Sequence, residues 1–195
     1  MHLKRFFDFF ISFFLLLIFS PLFIILIVLI FLQDLKSPFY ISTRIGINKN
    51  KFNMVKFRSM RQISYLNHIV STSNSDPRIT ILGRFIRKYK LDELSQLWNV
   101  LIGDMSLVGP RPNVKRETDL YTLQEKKLLT VRPGITDFSS IVFSDEGDIL
   151  KDQVDPDIAY NQLIRPGKSM LGVFYIDKRN LFALARYGVA RPPEF

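Results

Sequence analysis

Asp92 and Glu93 sit next to each other in a segment that reads LGRFIRKYKLDELSQLWNVLIGDMSLVGPRP from Leu82 to Pro112. Basic side chains precede the pair (Arg84, Arg87, Lys88 and Lys90), and the turn-forming run Gly109-Pro110-Arg111-Pro112 follows it. Carboxylates among arginines can hold a divalent cation and a phosphate ester together. Guanidinium forks grip the anion while the cation cancels the remaining repulsion. An isolated acidic pair at a helix start has a plainer reading, because negative charge there meets the positive end of the helix dipole. Successive helical side chains also diverge by about 100°. The two carboxylates therefore cannot flank one bond as a facing acid/base pair, but they can divide the labour between attack and ligand binding.

Arg111 lies between two prolines after a glycine, so its backbone is restricted and less entropy is lost when it grips a phosphate. Arg58, in the run KFRSM, follows a predicted strand and is a candidate for pointing into a cleft, whereas Arg84 reads as a solvated charge. The chain contains neither GxxxxGK[ST] nor GxGxxG, so a nucleotide has to be held by other means than a P-loop or a Rossmann turn. His2 and His68 lack metal-site spacing, and there is no cysteine, which excludes disulfides and thiolate metal centres.

These groups need elements to position them. The length, 195 residues, suits one domain plus an appendage. With 27 Lys+Arg against 18 Asp+Glu the net charge is +9, which favours anionic partners such as nucleic acid, acidic lipid or a phosphorylated substrate. The appendage is Phe6 to Leu32, apolar except for Asp8, Ser12 and Ser20. It exceeds the roughly 20 residues that cross a bilayer and is too long for a cleaved signal peptide, so the chain is expected to be membrane-bound. Ser20-Pro21 near its middle predicts a kink. Positive residues flank both ends (Lys4 and Arg5 before; Lys36, Arg44, Lys49 and Lys51 after). Because such residues favour the cytoplasmic side, the charges lean toward a helix–break–helix that re-enters one leaflet, with a kinked spanning helix as the alternative.

Beyond it, Pro38 to Met60 reads as two strands joined at Asn48-Lys49-Asn50-Lys51, and Gln62 to Pro77 as a polar loop. A short basic helix is predicted over Ile81 to Lys88. A second follows from the spacing of Leu91, Leu94, Leu97, Trp98 and Leu101, ended by Gly103. Arg132-Pro133-Gly134 is a turn, Ile135 to Phe143 a short strand, and Glu146 to Leu163 partly helical with an interruption at Pro156. Leu181 to Val189 has the pattern of an interfacial helix. The fold class is α+β, mainly helical: a membrane hairpin over 1–35 and a small catalytic domain over 36–195, resting on interfacial amphipathic helices.

DPRIT (Asp76 to Thr80), LGRFIRK, LDELSQLWNVLIGDMSLVGPRP and VRPGIT (Val131 to Thr136), with KFRSM and the apolar hairpin before them, occur in the order found in bacterial sugar transferases, the monotopic phosphoglycosyl transferases. The chain resembles that family over roughly Lys4 to Tyr175. The resemblance implies transfer of a sugar-1-phosphate from a UDP-sugar to undecaprenyl phosphate, with release of UMP, as the start of a glycan. It implies Asp92 as the nucleophile that becomes an aspartyl phosphosugar and Glu93 as its partner, both on a Mg²⁺ ion. Arg58, Arg87 and Arg111 become phosphate contacts, Arg78 and Arg132 secondary ones, and Ser20-Pro21 the break of a re-entrant helix. It further implies the bacterial inner membrane with the catalytic domain facing the cytoplasm, lipid contact, and downstream glycosyltransferases as partners.

Two positions depart from the family pattern. Asp137-Phe138-Ser139-Ser140-Ile141-Val142 stands where many members carry G-x-x-Q-V-x-G-R, which leaves the sugar open, and Gly172 stands where many carry an aspartate. Two rival readings keep the same residues. One is an inactive membrane-anchored scaffold for glycosyltransferases. The other, a tethered nucleic-acid binder, is disfavoured because the aromatics cluster in the hairpin and not among the basic residues.

Overall fold

The computed structural model describes residues 2–61, 76–144, 146–151 and 155–178. The tail 181–189, His68 and most of the polar loop 62–77 lie outside them. Helix α1 (His2–Ile18) and helix α2 (Ser20–Leu32) meet at a 63° bend. Pro21 has no N–H to give the carbonyl of Leu17, four residues back; the Ser20 hydroxyl donates to it instead, at 2.7 Å. The Ser-Pro pair thus breaks the helix and fills the bond that the break opens. No single helix among the described residues is long and apolar enough to cross a membrane, but the bent pair together passes that test.

Both halves of the pair are docked. At the base of α1, Arg5 donates to the carbonyls of Val100 (2.5 Å) and Leu101 (2.8 Å). Asp8 accepts from the Ser106 hydroxyl at 2.8 Å and from the Leu107 amide at 3.2 Å. The lone acidic residue of the apolar run is therefore buried against the domain. On α2, Leu26 and Ile30 share a core with Phe57 and Ile86.

Strands β1 (Phe39–Ile45) and β2 (Lys51–Phe57) form the expected antiparallel hairpin, in register from Phe39 opposite Phe57 to Ile45 opposite Lys51. Its turn holds Asn48 and Lys49 at positive φ, which asparagine tolerates better than most residues. The outer edge of β2 is closed by side chains. Asn99 accepts from the Val55 amide (3.0 Å) and donates to the Asn53 carbonyl (2.8 Å), and the Ser95 hydroxyl donates to the Val55 carbonyl (3.1 Å).

Helix α3 (Ile81–Lys88) has the predicted bounds, and the Thr80 hydroxyl caps it by accepting from the Gly83 amide at 2.8 Å. Gly83 lies so close to the chain after β2 that a Cβ would stand 1.9 Å from the Ser59 carbonyl oxygen. The predicted second helix is two pieces: a 3₁₀ segment, Leu91–Gln96, and α4, Leu97–Ile102, with Gly103 in the left-handed region as its C-cap. Its buried face is only partly the leucine stripe. Ser95, Gln96 and Asn99 point inward with Leu97 and Val100, while Trp98 and Ile102 are exposed.

Strand β3 (Ser106–Val108) pairs in parallel with β4 (Gly134–Thr136). Between them α5 (Lys115–Thr118) and a 3₁₀ turn, Glu125–Thr130, complete the wall. The strand expected over Ile135 to Phe143 ends at Thr136. Asp137 then caps α6 (Phe138–Val142), its Oδ1 accepting from the Ser140 amide and the Ser139 hydroxyl, each at 2.8 Å. An aspartate with serines two and three residues on is a cap signal that outweighs the β-branched content of the stretch. Helix α7 (Glu146–Ile149) follows, and α8 (Pro156–Ala159) begins at the proline expected to interrupt it. A π-helical turn, Tyr160–Ile164, leads into α9 (Arg165–Lys178).

Candidate functional site

The even-numbered face of the β-hairpin floors a cleft of about 870 Å³, with the 3₁₀ segment and the Pro110–Asn113 crossing as its walls. Asp92 and Glu93 open onto it because Ser95 and Asn99, about one and two turns later, pin their segment to β2.

The pair is asymmetric. Glu93 Oε1 accepts from Lys56 Nζ and from Arg111 Nη2, each at 2.8 Å. Asp92 Oδ2 is 3.8 Å from Lys56 Nζ and accepts no hydrogen bond from a described residue. Burial pushes the Asp92 carboxyl above its ordinary value and the Glu93 charge adds to that, while Lys56, Arg87 and Arg111 oppose it. Burial pushes Glu93 up as well, but Arg111 and Lys56 overcome it and hold the group far below the usual carboxylate range. Lys56 is itself lowered by desolvation against the pull of Glu93. Glu93 is therefore a fixed anion clamped by two cations, and Asp92 a buried carboxylate whose oxygens remain available to a ligand.

Arg111 reaches the site through two close backbone crossings. The Gly109 amide donates to the Thr136 carbonyl and the Gly134 amide to the Pro110 carbonyl, each at 3.0 Å. A Cβ on Gly134 would stand 2.1 Å from the Gly109 nitrogen. The GPRP and VRPG motifs are thus two faces of one contact that aims Arg111.

The other candidates divide. Arg87 lines the cleft, acts on Asp92 electrostatically, and rests Nη1 on the Met60 sulfur at 3.6 Å. Arg58 lines the same cleft, but its guanidinium is taken in a fork by Asp34 at the end of the apolar hairpin, 2.5 Å at each nitrogen. That contact lowers Asp34 to about 2. Arg78 is also at the rim, paired with Asp76 at 2.7 Å. Arg132 is outside the lining: its Nε donates to the Gly103 carbonyl at 2.8 Å and closes the end of α4. Gly172 is a packing position, since a Cβ there would lie 2.7 Å from Leu128 Cδ2.

Lys56 is the residue that sequence reasoning passed over. The signal was available in KFNMVKF, where strand alternation sets Lys56 on the face of Phe52 and Met54, away from Phe57. Arg44, Glu117 and Tyr160 also line the cleft, and no local motif marks them.

No group of three or more His, Cys, Asp or Glu side chains among the described residues is placed to hold a metal. Mg²⁺ seldom uses an all-protein cage; it takes one or two carboxylates and completes its shell with water and substrate phosphate. Asp92, with the Glu93 oxygen that neither Lys56 nor Arg111 occupies, fits that mode.

In this cleft one carboxylate is held by two cations and its neighbour is left open. Residues 1–170 match the family model for bacterial sugar transferases, and the chain belongs to that family. It is 38% identical over 148 residues to the exopolysaccharide production protein ExoY of Rhizobium meliloti (strain 1021), covering 68% of this chain and 66% of that protein. It is 41% identical over 145 residues to the undecaprenyl-phosphate glucose phosphotransferase of Komagataeibacter xylinus, covering 71% of this chain and 27% of the relative. It is 42% identical over 149 residues to the undecaprenyl-phosphate galactose phosphotransferase of Salmonella typhimurium (strain LT2), covering 69% and 31%. The chain thus spans about two thirds of the first relative and under a third of the other two.

Proposed function

We propose that the protein transfers a sugar-1-phosphate from a UDP-sugar to undecaprenyl phosphate at the cytoplasmic face of the bacterial inner membrane. The observation that carries this reading is the open Asp92 carboxylate beside a Glu93 already neutralised by Lys56 and Arg111. Names of the relatives support the same chemistry.

In this reading an Asp92 oxygen attacks the β-phosphorus, the bond between that phosphorus and the bridging oxygen breaks, and UMP leaves with the electron pair. An oxygen of undecaprenyl phosphate then attacks the same phosphorus and returns Asp92 as a carboxylate. Splitting the transfer lets a soluble donor and a lipid acceptor use one place in turn. Arg111 and Arg87 grip the phosphates, and Glu93 keeps Arg111 aimed. Asp92 and Glu93 would hold Mg²⁺, which when bound supplies neutralisation of the diphosphate.

The re-entrant hairpin belongs to the same proposal. The base of α1 is bonded to α4 and β3, and α2 shares a core with Phe57 and Ile86. Both halves therefore contact one domain, which a bent pair that turns back within one leaflet allows.

The test is UMP release from a panel of UDP-sugars by the full-length protein, with and without undecaprenyl phosphate. Asp92→Asn, which keeps shape and loses charge, is expected to abolish release. Normal turnover by that variant overturns the covalent route, and no release from any donor by the unmutated protein favours the inactive scaffold.

A further inference from the structure

The cleft has two chemically different ends. Toward α3 it is cationic, with Arg61, Arg84, Arg87 and Lys88. Toward α9 it is mixed, with Arg44 from β1, Glu117 from α5, Glu146 from α7, and Tyr160. Arg111 links the ends: it is held by Glu93 and also feels Glu146 and Tyr160.

Tyr160 is placed with unusual care for a residue that the proposed chemistry does not use. It is buried, only 8% exposed, and it opens the π-helical turn, a rare backbone form that gathers at functional sites. Lys168 Nζ sits 5.4 Å from its ring centroid, and Lys168 is paired in turn with Glu146. The ring is thus clamped, while no described residue hydrogen-bonds its hydroxyl. Burial and the Glu146 charge push the phenol well above its ordinary value, so the group remains an O–H donor at any cellular pH. That hydroxyl belongs to a residue of the cleft lining and is available to donate to a ligand group. Glu117, 7% exposed, sets a carboxylate acceptor at the same end.

We propose that Tyr160 and Glu117 form the subsite for the sugar ring of the donor and determine which sugar is accepted. This rests on the reading of Asp92 as the group that takes the phosphosugar. The attacked phosphorus carries the sugar, so the ring lies next to the phosphate that Arg111 grips. A hydroxyl donor and a carboxylate acceptor match ring hydroxyls, whereas the cationic end matches the second phosphate and the acceptor's phosphate.

The wall of this subsite continues from α6 (Phe138–Val142), immediately before Ser144 and Glu146 at the rim. The Phe143 ring seals that wall on α9, close enough that a Cβ on Gly167 would stand 2.6 Å from it. A different residue choice in α6 therefore reshapes the sugar end without touching Asp92.

The test measures kcat/KM for UMP release from UDP-glucose, UDP-galactose and their N-acetyl forms, using full-length protein in detergent. Tyr160→Phe removes one hydroxyl and keeps the clamped ring; Glu117→Gln is the second variant. Each is expected to lower kcat/KM for the best donor about tenfold or more and to shrink its preference over the next donor at least about fivefold. The KM for undecaprenyl phosphate and inhibition by UMP, which has no sugar, are expected to stay as in the unmutated protein. An unchanged preference in both folded variants, or an equal loss of UMP inhibition, overturns the subsite. If the unmutated protein releases UMP from no donor, the reading of Asp92 is what fails. Equilibrium binding then decides the subsite: Tyr160→Phe weakens UDP-sugar but not UMP if it holds, and affects both alike or neither if it does not.

Discussion

Replacing Lys56 by methionine removes one charge and keeps most of the stem that fills the floor of the cleft. Its Nζ is 3.8 Å from Asp92 Oδ2 and 2.8 Å from Glu93 Oε1. At an effective dielectric constant of about 20, charges at the longer distance attract by about 4 kcal/mol, or about three pH units at about 1.4 kcal/mol each. Water in the open cleft screens part of this, so about one unit is the least expected. The sign follows from the site. Burial raises the Asp92 carboxyl, Lys56 opposes that rise, and its loss lifts the group further; Glu93, left with Arg111 alone, repels Asp92 more. Attack needs the carboxylate, so activity declines as pH falls through this value. The acidic limb of the pH–rate profile is expected to move to higher pH by one to three units in Lys56→Met and to return in Lys56→Arg. The assay is UMP release between about pH 5 and pH 9 at saturating donor. A folded Lys56→Met protein whose acidic limb coincides with that of the unmutated protein refutes the electrostatic account of the pair.

Glu93→Gln leaves Arg111 without its ion-pair partner and Lys56 with Asp92 alone, and is expected to cost about 3 kcal/mol in urea unfolding at neutral pH. Because folding holds Glu93 below its ordinary value, that stability is present above the usual carboxylate range and fades as pH falls below it; the variant should lose this part of the acid dependence. Chelation is expected to stop UMP release and added Mg²⁺ to restore it, and full activity in excess EDTA would contradict the role given to the ion. Gly134→Ala drives a Cβ into the Gly109 backbone, so turnover is expected to fall at least about tenfold by displacement of Arg111, with the donor KM as the check. Single cysteines at positions 2 and 36, in a chain that has none, should both resist an impermeant thiol reagent from the periplasm; labelling at position 2 would defeat the re-entrant hairpin.

Elements governed by local chemistry were legible in the sequence. The β-hairpin turn, the bounds of α3 and the break at Ser20-Pro21 follow from side chains within a few residues of each other. The acidic pair and Arg111, which the fold brings to one cleft, stood out in the sequence by residue type and spacing. What escaped depends on tertiary contact. The leucine spacing near Leu94 predicted a helix but not its full buried face, because β2 takes Ser95 and Asn99 as its edge partners and turns polar side chains inward. Arg132 shares its motif with Gly134 yet closes the end of α4. Lys56 gains its importance only when β2 is laid beside a segment some forty residues away.

The shared core of α2 with Phe57 and Ile86 bears on how the protein can be handled. Cutting away residues 1–35 to obtain a freely soluble enzyme would strip Leu26 and Ile30 from that core, leave the last carbonyls of α4 without Arg5, and free Arg58 from Asp34. The apolar hairpin is a folding partner of the cleft-bearing part of the chain and cannot be treated as detachable. Purification in detergent or a lipid disc with the hairpin in place is expected to keep the fold intact, and a trimmed version is expected to aggregate even though every residue of the cleft is still encoded in it.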